Sequence, residues 1–436
     1  MNETLPVERG WTDSGRSLDD LDQTTWWETF GEQVDIEKLD PTVLAFLQRA
    51  WNGFSQADPP HLFHRFLGGL APPGLMFNNA MYADDEDDSN KCRYITLYTG
   101  NKALGKSHPL GLVYDQRAHK AMQHISMADI SITMNGRQVW LHFEVILEAF
   151  LDMIDQGKVL AVNDTYQGEQ QRTAPWIMPS FTDGDFRDTL QAFEALVESI
   201  EYQIPHFDKS WPAKYGLFNS AWISIMPENS FARKFLENAR VPHFKYLAPG
   251  LQLAQRQIFD STSVEEGRLR PVLLFENDRK AHRETSRAPW GQEMPIAPFH
   301  PDFNPRDDFP AGLYLTETEP NSIHPFEDGC KLVLPFPVGE NGWARTSDDA
   351  LFGETIISKG PTARPNPRST LIYQQGFNHF IEMHDVQLKH VLARWTEMVT
   401  TGKWEVDSQG VTGGIEKWGD SDTGDEWQLY QLPIHW

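Results

Sequence analysis

The densest run of acidic side chains in the sequence is Asp-Asp-Glu-Asp-Asp at residues 84–88. The DDxxD spacing of Asp84, Asp85 and Asp88 would place the first and last aspartates on one helical face, where they could hold Mg²⁺ for a diphosphate. Polar residues flank the run on both sides instead of the apolar helix that such a site needs. This context favours an acidic surface loop, and the metal site remains the alternative.

A second group of chemically capable residues closes the segment 328–349. An apolar strand leads into a corner with two prolines and a Gly-Glu-Asn-Gly turn, and Arg345, Asp348 and Asp349 follow within a few residues. Polar side chains delivered by the end of a strand are a common site design. The favoured interpretation is nevertheless a structural turn with an exposed acidic tip, and the site is the alternative.

A third acidic group, Glu144, Glu148 and Asp152, recurs every four residues in an otherwise apolar stretch. On a helix this spacing forms one narrow acidic stripe, which could bind a cationic substrate group or be the solvent face of an amphipathic helix. The solvent face is the favoured interpretation.

Other metal and cofactor motifs are incomplete. Asn229, Arg233 and Glu237 have the spacing of a terpene-cyclase metal motif, but a guanidinium has no lone pair to offer a metal, so a surface pair of Arg233 with Glu237 is predicted. The His and Glu residues at 379–390 lack HExxH spacing, and no Walker loop, GxGxxG turn or GxSxG elbow is present. We therefore predict neither a metal nor another cofactor.

Composition limits the class of protein. The 436 residues carry 38 Lys and Arg against 62 Asp and Glu, a net charge of −24, and 12% are aromatic. This is a folded chain that repels polyanions except at a local basic patch, and the cations clustered at 233–287 are the place for one, although a solvated face is favoured there. Two cysteines, no apolar run long enough for a membrane span and no secretory signal favour the cytoplasm.

Hydrophobic periodicity predicts the elements that position these residues. Helices are expected at 41–54, from 141 to about 156, at 186–203, 229–239 and 379–400. Strands are expected at 92–99, at 271–275, 312–316, 332–336 and 370–373, with a hairpin around Asn135-Gly136. The fold class is mixed α+β, with a mainly helical N-terminal half containing a hairpin and a strand- and loop-rich C-terminal half closed by a long helix. Residues 1–24 read as a flexible acidic arm, and 25–436 as a single large domain with a sub-boundary considered near 205–228.

Three stretches carry a resemblance to a known family: residues 229–250, residues 328–349 and Trp404 to Trp418. In these stretches the chain resembles the fungal arginine-containing cyclodipeptide synthases. The resemblance implies a transferase of secondary metabolism that takes an arginyl residue from arginyl-tRNA and a second residue from another aminoacyl-tRNA. It joins them in a diketopiperazine without a cofactor.

The family is described by a DDxxE motif, and the nearest acidic pairs here are Asp84-Asp85, with Asp88 in place of Glu, and Asp348-Asp349. The resemblance thus implies these five aspartates as catalytic residues. The predicted substrate-binding residues are Glu144, Glu148, Arg345 and Lys280. The carboxylates among them would hold a guanidinium, and the cations would face the tRNA. There are two alternatives. One is a Mg²⁺-dependent terpene cyclase or prenyltransferase, whose fold would be nearly all helix, and the other is a non-enzymatic binding protein.

Overall fold

The computed structural model describes residues 24–52, 64–77, 93–101, 111–124, 140–162, 173, 175–208, 210–224, 226–257, 270–282, 284–287, 293–296, 298–299, 308–316, 326–352, 368–375 and 384–433. Helices account for 33% and strands for 25% of the structure, which confirms a mixed α+β fold. No helix within these ranges is both long and apolar enough to span a bilayer.

The chain separates into two compact units, Met1–Pro179 and Ser180–Trp436. The sequence-based division near 205–228 lies inside the second unit, because Leu217 and Ile223 belong to that unit's hydrophobic core. Residues 1–23 of the expected N-terminal arm lie outside the described residues. The carbonyl of Thr24 accepts a hydrogen bond from the N–H of Asn52 at 3.0 Å.

The first unit contains an antiparallel sheet of four strands in sequential order: β1 Leu67–Leu70, β2 Tyr94–Gly100, β3 Gly111–Asp115 and β4 Lys120–His124. Its helices are α1 Trp26–Phe30, α2 Pro41–Leu47, α3 Pro73–Met76 and α4 Phe143–Asp155, and a short pair, β5 Leu160–Ala161 and β6 Trp176–Ile177, follows. The predicted strand at 92–99 corresponds to β2, and the predicted helix from 141 onward corresponds to α4. The hairpin at Asn135-Gly136 lies outside the described residues.

The second unit is built on an eight-stranded mixed sheet of order β14-β13-β12-β9-β8-β7-β16-β15. Its strands are β7 Tyr246–Ala248, β8 Leu251–Leu253, β9 Val272–Lys280, β12 Pro310–Leu315, β13 Cys330–Val338, β14 Ser369–Leu371, β15 Val406–Asp407 and β16 Gly410–Val411. A separate antiparallel pair joins β10 Glu284–Arg287 to β11 Glu293–Ile296. The pair β16–β7 is parallel, and it brings the C-terminal hairpin against the start of the sheet.

Helices α5 Asp183–Gln203, α6 Ser220–Ile223, α7 Phe231–Asn238, α8 Leu388–Thr400 and α9 Trp427–Tyr430 belong to the second unit, with a 3₁₀ helix at Ile415–Asp422. A capping box, in which Thr182 and Asp185 satisfy each other's backbone N–H groups, starts α5 and explains its early beginning. The apolar stripes of α5 and α8 pack into the core that includes Phe193, Phe275 and Trp395.

One predicted helix begins later than expected. The sequence predicts a helix over 379–400, whereas α8 starts at Leu388; residues 379–383 lie outside the described ranges. The segment before α8 is extended because its backbone pairs with the start of β13: the N–H of Cys330 donates to Val386 O at 2.8 Å, and the N–H of Leu388 donates to Asp328 O at 2.9 Å. Pairing with a buried strand overrides the helical periodicity of that segment.

Candidate functional site

Of the five aspartates predicted as catalytic, the structure describes Asp348 and Asp349; Asp84, Asp85 and Asp88 lie outside the described residues. Asp348 is half-buried, and its Oδ1 accepts hydrogen bonds from the hydroxyl of Thr346 and from the N–H of Ala350. Asp349 is exposed and has a φ of 65°, in the left-handed region that Asp tolerates in turns. Asp348 and Asp349 thus lie in one tight turn, as the favoured interpretation of this segment expected.

Arg345 belongs to the same turn. Its Nη1 donates to the backbone carbonyl of Asp349 at 3.0 Å and lies 3.8 Å from that residue's Oδ1, and its guanidinium lies 4.9 Å from the ring centre of Trp427. The structure therefore brings Arg345, Asp348 and Asp349 together in one turn, but the contacts of Arg345 hold the turn itself.

The remaining predicted substrate-binding residues are on exposed faces. Glu144 and Glu148 lie on the exposed side of α4 in the first unit, as the solvent-face interpretation expected. Lys280 lies at the end of β9 with 72% of its side chain exposed, and its Nζ donates to Asp308 Oδ2 at 2.7 Å.

Part of the basic segment 233–287 is neutralised by ion pairs where the structure describes it. Arg233 pairs with Glu237 at 2.9 Å, as predicted, and Arg240 pairs with both Glu194 and Glu201 at 2.8 and 2.9 Å. Arg279 pairs with Glu416, and Lys280 pairs with Asp308. Because ion-paired guanidinium and ammonium groups have little potential left for phosphates, these four described cations do not form a basic surface by themselves.

A cavity of about 500 Å³ in the second unit brings together chemistry that the sequence spreads over three segments. Its lining comes from β7 and β8, from the end of β9, and from the hairpin β15–β16 with the start of the 3₁₀ helix. The charged side chains that line it are four carboxylates, Glu276, Asp278, Asp407 and Glu416, and two cations, Lys245 and Arg279.

Backbone contacts hold these side chains in place. The buried Glu276 carboxylate accepts the N–H of Gln255 at 3.1 Å, and Asp407 Oδ1 accepts the N–H of Gln409 at 2.7 Å. The side-chain amide of Asn277 donates to Gly250 O at 2.6 Å, and its Oδ1 accepts the N–H of Arg279 at 3.0 Å, which sets the bend at the end of β9. Hydrogen bonds therefore fix Glu276 and Asn277 in the part of the cavity wall that β9 contributes.

The balance of charge in this cavity is negative. Arg279 is compensated by Glu416, and the ammonium of Lys245 lies 4.6 Å from the ring centre of Tyr246. Among the described residues that line the cavity, Glu276, Asp278 and Asp407 then face one further cation, Lys245. Such an arrangement favours a cationic group, above all a guanidinium, whose planar donors match carboxylate oxygens.

The phenol of Tyr314 belongs to the same electrostatic environment. Its burial and the nearby Glu276 carboxylate raise the pKa of Tyr314, and its hydroxyl donates to Pro310 O at 2.6 Å. Tyr314 therefore stays neutral and acts as a structural hydrogen-bond donor beneath the sheet.

The 3₁₀ helix Ile415–Asp422 connects the cavity to the turn that carries Arg345. Glu416 near its start lines the cavity, and the indole N–H of the fully buried Trp418 donates to Pro249 O at 2.9 Å. At its end, the carboxylate of Asp422 accepts four backbone N–H groups, those of Gly339, Asn341, Trp343 and Ala344, at 2.8 to 3.1 Å. The 3₁₀ helix thus supports both the wall of the cavity and the turn that carries Arg345.

A buried polar network joins the starts of α5, α8 and β13. His384 Nε2 lies 3.2 Å from Asp328 Oδ1, Gln387 Nε2 donates to Asp328 Oδ2 at 2.5 Å, and Lys389 Nζ donates to Asp185 Oδ1 at 2.8 Å. Asp328, His384 and Gln387 are at most 3% exposed, so a substrate has no access to the imidazole. Within the described part of the chain, this network is structural, and no group of three or more His, Cys, Asp or Glu side chains is arranged to hold a metal ion.

The cavity residues were not predicted from the sequence as a site. Glu276-Asn277-Asp278 directly follows the apolar run Val-Leu-Leu-Phe, and polar residues at the end of a buried strand are an indication that could have drawn attention to them. Asp407 and Glu416 carry no comparable local pattern, because they come near β9 only in the folded chain, through the parallel β16–β7 pair and the ion pair of Glu416 with Arg279. Comparisons with protein families, with curated proteins and with solved structures find no match for this chain.

Proposed function

We propose that this chain is a cytoplasmic enzyme that condenses an arginyl residue with a second aminoacyl residue to a diketopiperazine, with arginyl-tRNA and another aminoacyl-tRNA as donors. The observation that supports the proposal most directly is the acid-lined cavity, whose carboxylates outnumber its cations by four to two. The arginyl side chain would lie with its guanidinium against Glu276 and Asp278.

The chemistry needs no external energy source, because the acyl groups arrive as esters. The α-amino nitrogen of one aminoacyl group attacks the ester carbonyl carbon of the other, a C–N bond forms, and the C–O bond to the ribose breaks. The amine loses a proton, and the ribose oxygen gains one. A second attack of the same kind closes the six-membered ring and releases the other tRNA. The protein must hold both groups together and accept the proton, tasks for which fixed carboxylates are suited.

Four described cations of the segment 233–287 are paired with carboxylates, so binding of the tRNA has to rely on other cations. Lys245, on the cavity lining, has no carboxylate partner among the described residues and is the cation available to a phosphate near the acyl group. The helix share of 33% speaks against the terpene cyclase alternative, whose class is nearly all helical.

Expression in a host that lacks diketopiperazines, followed by mass spectrometry of extracts, tests the activity. We expect an arginine-containing cyclic dipeptide from the native chain. Glu276→Gln and Asp278→Asn should lower product formation about 10- to 100-fold, because a hydrogen bond between charged groups is worth about 1.5–3 kcal/mol. The matched control is Glu397→Gln, an acidic side chain 55% exposed that pairs with Arg394 on α8 and should leave the yield unchanged.

Alanine at Asp84, Asp85, Asp88, Asp348 and Asp349 tests the assignment made from the family resemblance. If these variants abolish the product while the cavity variants do not, the arginyl site is at those aspartates and not in the cavity. Treatment of a cell-free reaction with ribonuclease tests the donor: product that persists excludes tRNA. A terpene in place of a diketopiperazine, or no product at all, would refute the proposed activity.

A further inference from the structure

A second cavity, of about 830 Å³, lies in the second unit at the other end of β8. Its lining is mixed: polar side chains, among them Lys214, Asn219, Glu237 and Gln255, alternate with the apolar and aromatic residues Tyr215, Leu217, Phe218, Ile223, Val241, Leu253 and Ala254. Tyr215 is 61% exposed, so a large aromatic ring stands at its rim in contact with water. We refer to this cavity as the 214–255 cleft, and its size is typical of small-molecule sites.

The backbone of the cleft is tied to the unit's core. Between Lys214 and Leu217 the chain runs along the segment after α7: the N–H of Val241 donates to Lys214 O at 2.7 Å, and the N–H of Leu217 donates to Leu236 O at 2.9 Å. On the opposite side, the N–H of Ala254 donates to Leu274 O at 3.0 Å. The two walls are thus fixed by separate strands and helices, and the cleft is preformed.

The charges of the cleft select the ligand. Two charged side chains line it, Lys214 and Glu237. Glu237 is compensated by Arg233 at 2.9 Å, whereas Lys214 has no carboxylate partner among the described residues. In a chain of net charge −24, an exposed ammonium without a partner beside an apolar wall is complementary to an apolar anion.

We infer that the 214–255 cleft binds an aromatic or aliphatic carboxylic acid, with the apolar body against Leu217, Phe218 and Leu253 and the carboxylate toward Lys214. The inference does not depend on the proposed condensation, because it concerns a different cavity and a binding step alone. The side-chain amide of Gln255 at the mouth offers a further hydrogen-bond donor.

Isothermal titration of the full-length protein with 2-naphthylacetate and with its neutral amide tests the inference. The acid should bind more tightly than the amide, and Lys214→Gln should weaken the acid up to about fivefold while leaving the amide unchanged, since an exposed ion pair is worth about 0.2–1 kcal/mol. Gln255→Trp, at an exposed side chain whose structural contact is made by its backbone N–H, should fill the mouth and abolish the binding of both compounds.

Lys403→Gln is the matched control, because Lys403 is exposed and pairs with Glu426 away from the cleft. It should leave both affinities unchanged, and circular dichroism should show that every variant is folded. Equal affinity for acid and amide, no effect of Lys214→Gln, or full binding by Gln255→Trp would each overturn the inference.

Discussion

Asp422 holds the segment that delivers Arg345, Asp348 and Asp349, and its removal should be among the most destabilising single changes in the second unit. Its side chain is 4% exposed, and its two oxygens accept four backbone N–H groups from residues about 80 positions earlier in the chain. Two of these donors, on Gly339 and Ala344, are buried, so they cannot turn to water when the carboxylate is lost.

The expected loss of unfolding free energy follows from the number of buried N–H donors that would lose their acceptor. Leaving a buried donor without an acceptor costs about 1–3 kcal/mol, so two of them predict a loss of about 2–6 kcal/mol of unfolding free energy for Asp422→Ala. Asp422→Asn keeps one accepting oxygen and should lose about half as much. Either loss is a large share of the stability of an ordinary domain, about 5–15 kcal/mol.

Urea denaturation followed by tryptophan fluorescence measures the loss, because Trp395, Trp404 and Trp418 form one buried group in this unit. Asp420→Asn is the matched control: Asp420 lies two residues earlier on the same 3₁₀ helix and pairs with Lys417 at the surface, so its loss should cost less than about 1 kcal/mol. Amide hydrogen exchange gives a local readout, since the four amides bound to Asp422 should exchange faster in Asp422→Ala. If Asp422→Ala and Asp420→Asn are equally stable, or if those four amides remain protected, the carboxylate does not hold this segment.

Three further changes test other parts of the structure. Burial, and secondarily the charge of Arg65, lowers the pKa of His64 from 6.5 to about 3. Between these values the native state binds fewer protons than the unfolded state, so the free energy of unfolding falls by about 1.4 kcal/mol for each pH unit as pH falls. His64→Phe should remove that slope in urea titrations at pH 7 and pH 5. Burial raises the pKa of Glu327 above 4.5, so the native state holds this proton to higher pH than the unfolded state does, and stability falls as pH rises through the range between the two pKa values. Glu327→Gln still accepts the N–H of Phe231 and should become more stable relative to the native chain as pH rises. The same dependence of stability on pH in both chains would contradict this. Gly410→Ala should cost more stability than Gly402→Ala. Both glycines have positive φ, but a Cβ added at Gly410 would meet Tyr246 O at 2.3 Å, whereas a Cβ added at Gly402 would point into open space. Equal thermal midpoints of the two variants would refute the close contact.

Much of the secondary structure follows from local patterns. The stripe of apolar residues at 186–203 predicts α5, whose capping box extends it to Asp183, and the β-rich run at 92–99 predicts β2. The pair of Arg233 with Glu237 was also predicted, since donor chemistry and spacing alone decide it. In these cases the interacting groups lie within one element, so the sequence contains the whole interaction.

Interactions between distant segments could not be predicted in this way. Nothing near Asp422 indicates that it accepts hydrogen bonds from Gly339 and Ala344, and nothing near His384 indicates that the residues before α8 pair with β13. The two candidate cavities have the same origin: their walls come from segments that meet only because the eight-stranded sheet places them side by side.

Charge shows the difference between sequence and fold most clearly. The sequence concentrates cations at 233–287 of an acidic molecule, which allows a local basic patch there although a solvated face is favoured. Folding brings carboxylates to Arg233, Arg240 and Arg279, and it collects four acids around the end of β9. The segment considered as a place for a polyanion therefore borders a cavity suited to a cation, while Lys214, which lies outside that segment, has no carboxylate partner among the described residues and lies near apolar side chains. The ligands we propose follow from the charges that remain uncompensated after folding: a guanidinium at Glu276 and an apolar acid at Lys214.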